Sequence, residues 1–315
     1  MRATLQLHDR RAAKQFWSDH FDTEIGDVFA ALDELALRIS NALRYEIYAR
    51  ETEIAASRAP EALTDEERMS QAGHILLGSK RPDWERSRRL IEPVIAKNPD
   101  NFMALGIRAV NAMIEPTCGW REPTDADTSE GVRLAQRALE INERSDFVHL
   151  VLGMIHLLCE RDTAAAKREA RRALELNPNY TLAMDLLGAA LIFSGDASAG
   201  LPHCERAAKA NPRFPANGWF MQHVALGHFV LGEYEKALEW SQLADERERN
   251  VPRYLLLLVA AAWHAGRHEL ARAQAQKLIG ACPELRLRDV RRWPFDDKDD
   301  WRRFVGGLEA SGLPT

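Results

Sequence analysis

Residues 181–212 read TLAMDLLGAALIFSGDASAGLPHCERAAKANP, an apolar run, a Gly-Asp turn and a second run that ends in proline. Leu187-Gly188 falls inside an apolar helical run, Gly195-Asp196 marks a turn, Ala207 lies in a second helix and Pro212 follows it. Each of these residues has a mechanical role. Gly188 and Ala207 let two antiparallel helices approach closely, and Gly195 permits the positive φ that ends the first helix. Asp196 offers an acceptor to the unpaired N–H groups that open the second helix. Proline cannot continue a helix, so Pro212 marks the exit. The stretch reads as a helical hairpin.

The same device recurs. Pro99, Pro178, Pro212 and Pro283 each close a helix-like run, and Pro178 to Pro212 is 34 residues. Ala173 to Ala207, Gly232 to Gly266 and Ala237 to Ala271 are also 34 apart. That spacing is the tetratricopeptide (TPR) period. Five to six hairpins are expected between residues 64 and 285, the first opened by a Thr64…Glu67 capping box. Pro99 to Pro178 is 79 residues, two periods plus 11. The stretch EPTCGWREPTDADTS (115–129) reads as an inserted loop that absorbs most of this surplus, and one extra residue near Cys159–Arg161 absorbs the rest.

Composition sets the class. The 315 residues are 46% hydrophobic and 28% charged, enough apolar surface for a core, and the net charge of −5 offers no overall basic field to nucleic acid. Four separated cysteines without a CxxC pair suit unpaired thiols in a reducing compartment. The N-terminus lacks the apolar stretch of a signal peptide. The longest apolar run, Tyr254–Trp263, is too short to cross a bilayer. A cytoplasmic protein that binds neither membrane nor nucleic acid is the expectation.

The two ends differ from the repeats. RATLQLHD and KQFWSDHFD, separated by RRAA, predict a β-hairpin. A long amphipathic helix should follow, with Val28, Leu32, Leu35, Ile39, Leu43 and Ile47 on one face. A lone two-stranded hairpin has exposed edges, which suggests either a larger α/β domain or pairing with a second copy of the chain. After Pro283, Trp293-Pro294-Phe295 reads as an extended apolar clip. Asp299–Ala310 reads as a last helix with Trp301, Phe304 and Leu308 on one face, suited to cover the end of a solenoid.

These end segments resemble a known family. Arg2, Thr4, Gln6, Leu7, Asp9, Trp17, Phe21-Asp22, Asp27, Phe29, Asp33-Glu34 and Ile39 resemble the end of the TolB-like domain of bacterial class III adenylate/guanylate cyclases and of winged-helix regulators with a similar layout. Pro294-Phe295, Asp300, Phe304, Gly307-Leu308 and Gly312-Leu313-Pro314 resemble the ending of the same proteins. Leu32 and His8 depart from the family's usual glutamine and apolar residue. The resemblance implies three parts: residues 1–60 as the end of an α/β domain, 64–285 as the repeats and 286–315 as a capping segment. It also implies an effector domain upstream, and no segment here matches one. FDTEIGDVF (21–29) echoes the two metal-holding aspartates of a cyclase, but Asp22 and Asp27 read better as a strand end and a helix cap.

Motifs for other chemistry are missing: there is no GxxxxGK[ST], GxGxxG after a strand, HExxH or GxSxG. His264 and His268 are four apart but flank the turn at Gly266, and Lys167, Arg168, Arg171 and Arg172 read as a solvated outer face. No cofactor and no metal are expected. What remains is the groove. The first helix of each hairpin should line the concave side with Phe147, Leu150 and Met154, with Leu182, Asp185 and Ile192, with Trp219, Gln222, Leu226 and Phe229, and with Leu256, Ala260 and Trp263. Such an apolar surface either binds a protein partner or packs between repeats and under the C-terminal clip. The lysine and asparagine set that clamps a peptide carboxylate is not evident. The expectation is a non-catalytic protein-interaction module of the TPR type. The alternatives are a cyclase subunit completed by another polypeptide and the regulatory part of a winged-helix regulator.

Overall fold

The computed structural model describes residues 2–9, 14–22, 28–56, 58, 62–77, 81–120, 124–210, 212, 214–215, 217–290 and 293–314. The turn residues 10–13, Asp27 and residues 121–123 of the inserted loop lie outside the described residues.

Strands β1 (Arg2–Asp9) and β2 (Lys14–Asp22) pair antiparallel, Leu5 opposite Asp19 and Leu7 opposite Trp17. Helix α1 (Val28–Ala56) covers one face through Leu35, with Trp17 and Phe21 buried beneath it and Ile39 and Leu43 alongside. The expected single stripe on α1 is buried only in part, through Leu35, Ile39 and Leu43. Leu32 is 46% exposed and Ile47 44% exposed, while Leu37 is fully buried on a second face. The reason is tertiary. Leu37 packs with Met184 and Ala210 of the repeats, and the Asn41 side chain donates to the Asn179 carbonyl (2.9 Å) and accepts from the Thr181 hydroxyl (2.9 Å). The helix therefore docks on the solenoid as well as on its own hairpin.

Among the described residues, the chain then builds six helical hairpins, a TPR-type solenoid. They are α2 (Asp65–Ile75) with α3 (Arg81–Lys97), α4 (Phe102–Thr117) with α5 (Asp125–Ile141), and α6 (Asp146–Ile155) with α7 (Thr163–Leu176). The series continues with α8 (Thr181–Phe193) and α9 (Ala197–Ala210), α10 (Asn217–Val230) and α11 (Tyr234–Arg247), and α12 (Pro252–His264) and α13 (His268–Ala281). Side-chain caps start several of these helices. Thr64 and Glu67 form the expected capping box, and Thr124 with Asp127 forms another. In the 181–212 unit, Gly195 has φ +90° and the Asp196 carboxylate accepts from Ala199 N–H (3.2 Å). A Cβ on Gly188 would sit 2.5 Å from Cys204 Sγ, so only glycine admits α9 at this distance.

The surplus residues are absorbed in two ways. Most of the stretch 115–129 is not a loop: α4 extends to Thr117 and α5 begins at Asp125, because the Thr124 box starts a helix inside it. The extra residue near Cys159 becomes a π-helix over His156–Glu160, closed by Arg161 in the left-handed region (φ 58°). One added residue is thereby held without breaking the hairpin.

After α13 the chain turns back onto the inner helices through α14 (Leu287–Val290) and α15 (Lys298–Ala310). Trp293 and Phe295 both meet Phe193 at the end of α8 (ring centroids 6.1 and 5.1 Å). Phe304 is fully buried against Phe229 of α10 (6.1 Å), and a Cβ on Gly307 would sit 3.1 Å from the Ala260 backbone of α12. Asp296 N–H donates to the Phe193 carbonyl (2.9 Å), and the Thr163 hydroxyl donates to the Asp296 carboxylate (2.6 Å). The solenoid also meets itself across the concave side: Arg253 N–H reaches the Cys118 carbonyl (3.4 Å).

Candidate binding groove

The inner helices α2, α4, α6, α8 and α10 enclose a concave cavity of about 130 Å³. Its walls are aliphatic and aromatic: Ile107, Val110 and Ile114 of α4, Phe147, Leu150, Val151 and Met154 of α6, Leu182 and Leu186 of α8, and Trp219 of α10. Phe147, Met154, Leu158, Leu182 and Trp219 are half-buried, so the cavity meets solvent. The π-helix contributes Leu157 and Leu158 to the wall. A polar pair sits among these carbons. Asp185 is 5% exposed and His223 6% exposed. His223 Nδ1 lies 2.8 Å from Asp185 Oδ2, while Asp185 Oδ1 and His223 Nε2 have no hydrogen-bond partner.

Of the groove residues expected from sequence, this cavity unites Phe147, Leu150, Met154, Leu182, Asp185 and Trp219. The others lie elsewhere. Ile192 and Leu226 are fully buried between repeats, Ile192 against Gly200 and Gly227, and Leu256 is 3% exposed in the same core. Phe229 is covered by Phe304 and stacks edge-on with Tyr234 and His264. The Gln222 amide donates to the Arg253 carbonyl (3.3 Å), joining α10 to α12. Trp263 is half-buried under His268 (4.2 Å) and Arg272 (5.8 Å). Sequence reasoning missed His223, one helical turn beyond Trp219 on the same face. It also missed α4, whose Ile107, Val110 and Ile114 carry the inward spacing.

The remaining reactive groups are structural in character. Burial pushes the Cys159 thiol up to about 11 and the Cys204 thiol well above its ordinary value, so neither is held as a thiolate. His264 Nε2 lies 2.7 Å from the Arg303 carbonyl, which takes it away from any pairing with His268. Among the described residues there is no group of three His, Cys, Asp or Glu placed to hold a metal ion, and no helix long and apolar enough to cross a membrane. A second cavity of about 170 Å³ beside α3, α4 and α5 is polar, and its Arg108 and Glu130 pair with each other (2.8 Å).

No family model matches the chain. Over 157 residues it is 28% identical to a protein named "Putative adenylate cyclase 3" of Rhizobium meliloti (strain 1021); the match covers 49% of this chain and 26% of that protein. The chain thus matches about a quarter of the length of this relative. Among solved structures, human IFIT1 in its dimer with m7Gppp-AAAA superposes with a TM-score of 0.58 at 16% identity, over 69% of this chain and 50% of that one. The APC/C hetero-tetramer Cut9-Hcn1 gives a TM-score of 0.58 at 13% identity, over 79% of this chain and 45% of that one. At such identities the structures share a fold and nothing more can be carried over. The chain is a TPR-type helical-repeat protein, similar over half its length to the Rhizobium protein named "Putative adenylate cyclase 3".

Proposed function

We propose that the chain is a non-catalytic protein-interaction module whose partner binds along the open half of the concave face. The observation that carries this reading is the half-buried apolar wall made by Phe147, Met154, Leu182 and Trp219. An apolar concavity at the surface of a repeat protein is the kind of site that takes apolar anchors, with a polar rim setting selectivity. The likeness to a bacterial cyclase supports a regulatory role within such a protein. In that role residues 1–60 end an α/β domain, 64–285 form the binding solenoid and 286–315 cover part of its inner face, all in the cytoplasm. Selection of random twelve-residue peptides on the immobilised chain tests the reading. Peptides are expected that bind the wild type and lose at least tenfold in affinity for Met154→Glu. A selection yielding no peptide sensitive to that change counts against it.

The same likeness favours one rival, a cyclase subunit completed by another polypeptide. Cyclic nucleotide formed from ATP or GTP by this chain alone would replace the binding-only reading. The matches described above include no winged-helix regulator, and that alternative has no observation behind it. We further propose self-association through the N-terminal hairpin. It rests on β1 and β2 having no third strand beside them among the described residues. Light scattering is expected to give a dimer mass at high concentration, and a monomer mass throughout would remove the idea.

A further inference from the structure

We propose that the concave cavity is a pocket for one aromatic side chain bearing a ring N–H or O–H, a tryptophan or a tyrosine of the bound peptide. This inference rests on the reading of the groove as a peptide site. Size is the first argument: about 130 Å³ is close to the volume of a cavity that holds one benzene ring. Chemistry is the second. The walls are carbon apart from Asp185 and His223, both more than nine-tenths buried. His223 Nδ1 lies 2.8 Å from one carboxylate oxygen of Asp185, while the other, Oδ1, has no hydrogen-bond partner, and neither has His223 Nε2. A buried carboxylate oxygen without a partner calls for a donor on the incoming group. Indole and phenol supply one on a flat apolar body, whereas Phe, Leu and Met do not. Continuity is the third argument. The adjoining half of the same face already holds the chain's own Trp293. The Arg253 guanidinium lies over both that ring (4.5 Å) and the ring of Trp219 on the cavity wall (5.9 Å).

The test uses the full chain and side-chain probes, with affinities from calorimetry or ligand-observed NMR. 3-Methylindole and 4-methylphenol should bind at least tenfold more tightly than 1,3-dimethylindole, which carries a methyl group in place of the N–H hydrogen, and toluene, which lacks the hydroxyl. In Asp185→Leu/His223→Leu, which removes both polar groups together, this preference should vanish while binding of toluene persists. The wild-type ratio alone decides the matter if the double variant is unstable: equal affinity for the methylated and unmethylated indoles overturns the proposal. Peptides selected on the chain should be enriched in Trp or Tyr and displaced by 3-methylindole. Selected peptides that bind but lack both residues, or resist displacement, sink this inference and leave the groove reading standing. A selection that yields no groove-binding peptide removes both. Fragment binding with no displaceable peptide points instead to a free small molecule, and likewise overturns the assignment.

Discussion

On the concave face, the ends of α8, α10 and α12 lie beneath Trp293, Phe295 and Phe304, whereas the cavity between α2, α4, α6 and α8 stays open to solvent. Both halves are built from the same kind of helix and both present aromatic and aliphatic side chains. They differ in what covers them. Apolar surface removed from water contributes roughly 25 cal/mol per Å², so the C-terminal segment turns its half of the groove into core. Arg303 reinforces it, donating to the Val230 carbonyl (3.1 Å) and pairing with Asp300. The other half keeps its apolar surface available. An inner TPR face is thus not a binding site by default, because the chain itself can occupy it.

Substitutions on the two sides should separate accordingly. The largest effect is expected at Phe304→Ala. The side chain is fully buried, and truncation should lower stability by about 3–5 kcal/mol in urea unfolding. A loss below about 1 kcal/mol would break the claim that the C-terminal segment belongs to the core. Next comes the polar pair of the open half. Asp185→Leu alone strands His223 in a carbon-lined cavity and should cost about 2 kcal/mol, whereas the double change with His223→Leu should recover most of that loss. A double variant as unstable as the single one would mean that the pair does more than satisfy itself. Met154→Ala, at a half-buried wall position, should cost about 1 kcal/mol or less of stability yet weaken selected peptides about tenfold. The smallest effect concerns a pair at the start of the same inner helix. The bond to Glu169 (2.7 Å) raises His149 above its ordinary 6.5, and the same bond lowers Glu169 below its ordinary 4.5. The histidine contribution is complete below pH 6.5 and fades as pH rises through the raised value. The carboxylate contribution is complete above pH 4.5 and fades on acidification. His149→Gln should therefore cost most between pH 4.5 and 6.5, about 1 kcal/mol or less for a partly exposed pair, and less at pH 8. A cost that grew toward pH 8 would reverse the assignment.

The repeats were legible because their signals are local. Gly188 is irreplaceable where α9 touches it, Gly195 carries the positive φ and Asp196 caps the helix that follows, each as its residue type implies. The extra residue near Cys159 was visible as a break in the period, but its outcome was not: a π-helix and a loop account equally well for one surplus residue. The inserted stretch shows the opposite error, since TDAD carries a helix start that a reading based on length took for loop. On α1, periodicity found Leu35, Ile39 and Leu43 but not Leu37 and Asn41, because a second buried face containing an asparagine lies outside one hydrophobic stripe.

The hairpins, their period, their caps and exits, and the inward-facing helix of each pair are written in local sequence. These depend on backbone conformation and side-chain spacing within about forty residues. Which inward residues remain reachable is set by long-range packing. Phe229 and Phe147 look alike along the chain, yet one is covered by Phe304, 75 positions away, and the other lines an open wall. Coverage depends on contacts between residues far apart in the chain, and a repeat pattern carries no information about where a distant segment comes to rest.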